Sequence, residues 1–218
     1  GRDERLQLFV WSESTLLDSD PSAPQYSQPF KKPGIDNSNQ EIRCITGYQP
    51  RKYYTYDYTQ TPNDELRCTN ACPVFRTAEA LLNYMEACYE KNGTLDADAT
   101  HYFNAIREKA GLPTLTETFG NPTGDALIKI VRRERMNELI FEGHWLYDLK
   151  RWKEAESFFE KDANGMRGLT SAGATAEEFY QARVLPERPL IFTQKQYLYP
   201  IKQDYIDINP NLIQNPGW

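Results

Sequence analysis

Residues 125–152 spell an apolar helix face with carboxylates in its middle, and that conflict restricts the fold more than any other feature of the chain. Leu127, Val131, Glu134, Glu138, Phe141, Trp145, Leu149 and Trp152 recur at three- and four-residue steps, the period of one side of a helix. Such a face packs against other elements, and its glutamates need partners, because burying an unpaired carboxylate is prohibitively costly. Arg135 precedes Glu138 by three residues and Glu142 follows it by four, so adjacent turns supply an ion network of Glu134, Arg135, Glu138 and Glu142. The pattern predicts one long helix over residues 125–160, unbroken from near Asp125 to at least Trp152 and entered after the breaker Gly120-Asn-Pro-Thr-Gly124. Gly143 inside it costs roughly 1 kcal/mol relative to Ala and marks a close approach or a kink.

Two shorter helices precede this one. Val74, Ala78, Leu81, Met85 and Cys88 form one face, and Asn92-Gly93 supplies a left-handed stop. The next helix takes Thr94 as N-cap, sets Asp96 and Asp98 in its first turn, turns Ala99, Phe103 and Ile106 inward and ends at Gly111-Leu-Pro113. Across so short a turn the pair forms a hairpin over residues 73–113 like one tetratricopeptide unit, with no second copy at that period. The fold class is therefore mainly α, a tetratricopeptide-like hairpin plus a long helix, with extensive loops and a few short β-strands.

Residues 1–72 read as loops and short strands, since turn formers recur without a helical period. A connection of this size is far beyond ordinary loop lengths and points to function. It holds Trp11, Tyr26, Phe30, Tyr48, Tyr54, Tyr56 and Tyr58, rings that no regular face can bury together. Flat rings of this kind suit sugar faces, whose C–H groups pack on them, and equally suit pinning the loop to the core; the first six are the expected ligand contacts. Residues 161–218 form an irregular region, with a capping box from Thr175 to Glu178 and a docked tail ending in Gln214-Asn-Pro-Gly-Trp218.

The charge balance, 25 Lys and Arg against 31 Asp and Glu, excludes a strongly basic nucleic-acid binder. No apolar run approaches the roughly 20 residues that span a bilayer, and Gly1 to Arg5 holds no apolar leader. Four cysteines and two histidines are too scattered for a zinc site. Cys44, Cys68 and Cys72 read as free thiols or a loop disulfide, and Cys88 as a buried small side chain. No cofactor or metal is implied. Paired carboxylates equip glycoside hydrolases, so Glu134, Glu138 and Glu142 also allow a hydrolase reading, although glutamates interleaved with arginines more often satisfy a half-buried helix.

Several blocks together resemble a known family. Pro73 to Ala87, Leu95 to Pro113, Glu134 to His144 with Asp148-Leu-Lys-Arg-Trp152, and Tyr199-Pro-Ile201 with Asn209-Pro-Asn-Leu212 and Gln214-Asn-Pro-Gly-Trp218 are similar to the SusD/RagB family of nutrient-binding outer-membrane lipoproteins. The resemblance implies a non-catalytic cell-surface receptor that binds glycans, or in some members peptides or glycopeptides, and delivers them to a TonB-dependent SusC-like transporter. It implies attachment to the outer membrane through an N-terminal lipid, and a chain corresponding to the C-terminal part, with the helical N-terminal part upstream. At Trp145-Leu146 members commonly carry Arg and an aromatic residue, so this chain lacks an arginine that could join the network of Glu138 and Glu142.

Overall fold

The structure is a computed structural model that describes residues 3–10, 50–53, 71, 73–160, 166–169, 182–185 and 191–218. Trp11, Tyr26, Phe30, Tyr48, Tyr54, Tyr56, Tyr58, Cys44, Cys68, Cys72 and the Thr175–Glu178 capping box lie outside these residues. Two compact units divide the chain: Gly1–Pro33 with Tyr48–Gly143, and Gly34–Gly47 with His144–Trp218.

The first unit is helical. Helix α1 covers Arg5–Phe9, where the sequence predicts loops and short strands, and is followed by a bridge between Val10 and Pro50. Helices α2 (Thr77–Asn92) and α3 (Ala97–Lys109) fold back on one another, and α5 (Gly124–Glu138) packs on α2. Gly93 stops α2 as the sequence predicts: at φ 71° its N–H reaches the Tyr89 carbonyl, a conformation that costs glycine little. The cap of α3 is Asp96 rather than Thr94, its carboxylate accepting from the Ala99 N–H at 2.8 Å. Ala99, Phe103 and Ile106 are buried as expected, beside Leu82, Met85, Leu127, Ile128 and Val131. Val74 lies outside α2 and is exposed, because the helix begins three residues later.

A short helix α4 (Leu115–Phe119) fills the interval after Pro113, where the sequence reading placed none. Its signal was present in Thr114 and Glu117, which cap each other reciprocally.

The long helix is not continuous. Helix α5 ends at Glu138, residues 139–143 form a turn, and α6 (Trp145–Arg151) and α7 (Ala155–Glu160) follow. Phe141 at φ 64° and Gly143 at φ 81° both take left-handed backbone in that turn. The cause is chemical: the Glu138 carbonyl, which a continuing helix would give to the Glu142 N–H, accepts from Lys52 Nζ at 2.9 Å and Arg76 Nη2 at 2.7 Å. The Glu142 N–H turns to the Leu139 carbonyl at 3.1 Å. Phe141 and Trp145, expected in the core, are accordingly exposed at 41% and 40%.

In the second unit α6 packs on α7. Trp145 meets Phe158 edge-on at 4.9 Å, and Phe159 stacks on Phe192 at 5.7 Å. Strands β1 (Met166–Leu169) and β2 (Ala182–Leu185) pair antiparallel, Met166 opposite Leu185. The architecture is thus mainly helical with short strands, as the pattern predicts.

Candidate functional site

Two places concentrate polar chemistry or open apolar surface, one in each unit. In the first unit the three glutamates sit inside a cage of cations. Glu134 Oε1 lies 2.7 Å from Arg5 Nη1, an ion contact made outside the N–H direction, and its Oε2 lies 3.1 Å from Arg107 Nη1. Glu138 takes Arg76 Nη1 at 2.8 Å and Arg5 Nη1 at 3.2 Å. Glu142 takes Arg76 Nε at 2.7 Å and Lys52 Nζ at 2.5 Å. Asp3 clamps the outer side of Arg5, and Arg107 also donates to the Pro113 carbonyl and Thr118.

Thus the carboxylates expected from the helix pattern are brought together, while their cations include residues up to 133 positions away. Arg135, expected to join them from the same helix, points toward α2, its Nη1 donating to Asn83 Oδ1 at 2.8 Å.

The electrostatics follow from competition between burial and pairing. Burial pushes the Glu142 carboxyl up, but the hydrogen bonds from Arg76 and Lys52 outweigh it and hold the group below the usual carboxylate range. The same contest leaves Asp3 lowered by its bonds to Arg5. Burial opposes the charge on Arg5 and Arg76 too, and their carboxylate partners overcome it, raising both. For Lys52, burial prevails and lowers the ammonium despite Glu142. A general acid for glycoside cleavage needs a raised carboxyl in an open cleft. Here Glu134 and Glu138 are 3% and 8% exposed and Glu142 is lowered, so the hydrolase reading of these glutamates fails on geometry and charge. Among the described residues no cluster of His, Cys, Asp and Glu could hold a metal ion.

In the second unit an open cavity of about 310 Å³ lies beside the tail. Leu146 and Lys150 of α6 and Phe159 of α7 form one side; Ile191, Phe192, Gln196, Leu198, Tyr199 and Trp218 form the other. The tail motif explains its own construction. Gln214 pairs through both side-chain atoms with the backbone of Ile201 at 2.8 Å, and Asn215 Nδ2 donates to the Tyr199 carbonyl at 2.6 Å. Gly217 has φ 88°, and a Cβ there would lie 2.8 Å from Lys195 Cβ. Trp218 Nε1 is then fixed by the carbonyls of Lys195 and Leu198, each at 3.1 Å, leaving the indole half exposed. Lys150 Nζ stands 4.1 Å from the Tyr199 ring centre and Lys195 Nζ 4.4 Å from that of Trp218. The sequence predicts a docked tail here and assigns its rings no role; the signal for a pocket is a run of aromatics flanked by lysines.

Fold and site together define a mainly helical protein whose buried carboxylates serve pairing, with an open aromatic pocket on its second unit. The sequence model of the SusD family matches residues 1–218, and the chain belongs to that family. A SusD-like protein P2 from Formosa agariphila is 30% identical over 172 residues, covering 77% of this chain and 30% of its own length. The fold also matches a SusD-like protein from Bacteroides fragilis, with a TM-score of 0.70 at 24% identity over 100% of this chain and 39% of that one. Surface glycan-binding protein A from Bacteroides uniformis aligns with a TM-score of 0.52 at 26% identity, over 98% of this chain and 37% of that one. The chain therefore spans less than half the length of these relatives.

Proposed function

We propose that this protein is a non-catalytic cell-surface receptor that binds glycans and delivers them to a TonB-dependent SusC-like transporter, its parent held on the outer membrane by an N-terminal lipid. The observation that carries this reading is membership of the SusD family combined with likeness to a surface glycan-binding protein. An open pocket walled by half-exposed rings adds to it, because sugar C–H faces pack on aromatic planes and a small cavity with few polar groups is the usual form of a ligand site. Among the described residues no helix is long and apolar enough to cross a membrane.

A glycan array on the full-length protein, followed by calorimetry on the hits, tests the reading. Saturable binding of oligosaccharides without release of reducing ends is the expected result. Retention of peptides with no glycan bound would shift the assignment to a peptide receptor. Co-purification of a TonB-dependent transporter from outer membranes tests the delivery step, and its absence under conditions that preserve membrane complexes would remove that step.

A further inference from the structure

The pocket of the second unit has two lysines beside its aromatic walls, Lys150 and Lys195, which glycan binding alone does not require. Resting on the glycan-binding reading, we propose that it is a subsite for a negatively charged sugar: a pyranose ring bearing a carboxylate or a sulfate ester.

The walls are mostly apolar, and the lining residues Tyr199 and Trp218 are 64% and 46% exposed. Both rings are held before any ligand arrives. Trp218 is fixed through its indole N–H, and the Tyr199 backbone through Asn215, so neither needs costly ordering on binding. The charged side chains beside the walls are all of one sign among the described residues. Lys150 lines the cavity and Lys195 lies over the face of Trp218, while no Asp or Glu lines it among the described residues. Neither ammonium meets a carboxylate among those residues; each rests on a ring instead. Gln196, the other polar wall residue, is committed to Thr193 and the Ile191 carbonyl. The groups left to receive a ligand are therefore the Tyr199 hydroxyl and two ammoniums, with no side-chain carboxylate among them, in a chain whose net charge is −6.

Such an arrangement recognises a ligand with a flat apolar face and an anionic substituent at its edge. The face covers the rings, and the anion comes beside an ammonium that already stands over one of them. A neutral sugar would use the rings and offer the ammoniums only hydroxyl oxygens, which make weaker hydrogen bonds than an anion does. A fatty acid would need its chain enclosed, whereas this cavity is open and its rings are half exposed.

The test is calorimetry on the full-length protein with oligosaccharides matched in length: one neutral, one built of uronic acids and one sulfated. At low salt the charged probes should bind about tenfold more tightly than the neutral one, and the difference should shrink at high ionic strength. Whichever charged probe binds more tightly identifies the anion. Lys150→Met should abolish the preference, whereas Lys91→Met on α2 should preserve it. If Lys150→Met does not fold, Lys195→Met gives the same readout, and far-UV circular dichroism decides that point. Equal affinity for all three probes, or a preference that survives both lysine substitutions, overturns the subsite and leaves the glycan receptor standing. Tighter binding of a short-chain fatty acid than of any sugar also overturns it. Failure to bind any oligosaccharide overturns both.

Discussion

Replacing Glu134 by Gln separates a structural role for the buried carboxylates from a functional one. The change keeps the shape of the side chain and removes its charge, while Arg5 and Arg107 remain in place at 2.7 and 3.1 Å. The pair is well buried, with side-chain exposures of 4% and 7% for Glu134 and Arg107, so solvent screens it little. Removing one member of a buried ion pair typically costs 3–5 kcal/mol, because the other charge is left uncompensated. Both arginines keep other acceptors, Arg5 through Asp3 and Glu138, Arg107 through the Pro113 carbonyl and Thr118. The loss should therefore fall at the lower end, about 3 kcal/mol. Urea unfolding of the full-length protein, followed by tryptophan fluorescence, measures it. Glu90→Gln is the control: Glu90 is 62% exposed and 3.7 Å from Arg132, so its loss should stay within about 0.5 kcal/mol. If Glu134→Gln unfolds like the parent while glycan affinity collapses, the carboxylate belongs to a ligand site and the reasoning is wrong.

Gly217→Ala should destabilise the tail by about 1–3 kcal/mol through left-handed strain and the 2.8 Å approach to Lys195 Cβ, and weaken sugar binding with it; an unchanged melting curve would refute this. Because Glu142 and Asp3 titrate below their ordinary values, near 4.3 and 3.9, the stability they contribute is complete above those values. It is lost as pH falls through the lower folded values, so the urea midpoint should hold from neutral pH down to about 5 and drop below about 4. Glu142→Gln should flatten that drop, and a midpoint that rises in acid would contradict the assignment. Cys88 is buried and its sulfur accepts from the Asp96 N–H at 3.3 Å, so it should resist thiol reagents until the α2–α3 hairpin unfolds. Rapid labelling of Cys88 in the native protein would show that the hairpin opens.

What could be read from the sequence was local. Ala99, Phe103 and Ile106 gave one face of α3, Asn92-Gly93 gave the end of α2, and the glutamates at four-residue steps gave a buried carboxylate row. Each of these depends on neighbours within a turn or two of helix. The readings that failed depend on partners far along the chain. Nothing near residue 138 announces that Lys52 and Arg76 will take its carbonyl, so helical periodicity through Trp152 looked continuous when the backbone turns at Leu139. Similarly, Arg135 is the cation the sequence places near Glu138 and Glu142, and nothing there shows that Arg76 also reaches them, from 62 and 66 positions away. For the pocket, Lys150 and Tyr199 lie 49 positions apart, beyond any spacing rule. The aromatics from Trp11 to Tyr56 that carried the ligand expectation lie outside the described residues and remain proposals.

The lysine and arginine on the Glu138 carbonyl also bear on the order of folding. Until residues 52 and 76 arrive, nothing prevents the strong helical period of 124–152 from running on through Phe141 and Trp145 as one rod. Local helix forms in about a microsecond, whereas closing loops of this size is slower and entropically opposed. Contacts that close 62 and 86 residues are expected to form after the local helix, so substitutions at Lys52 or Arg76 should chiefly speed unfolding and leave the refolding rate little changed. The break that separates the two units is in this sense made by side chains that reach it last.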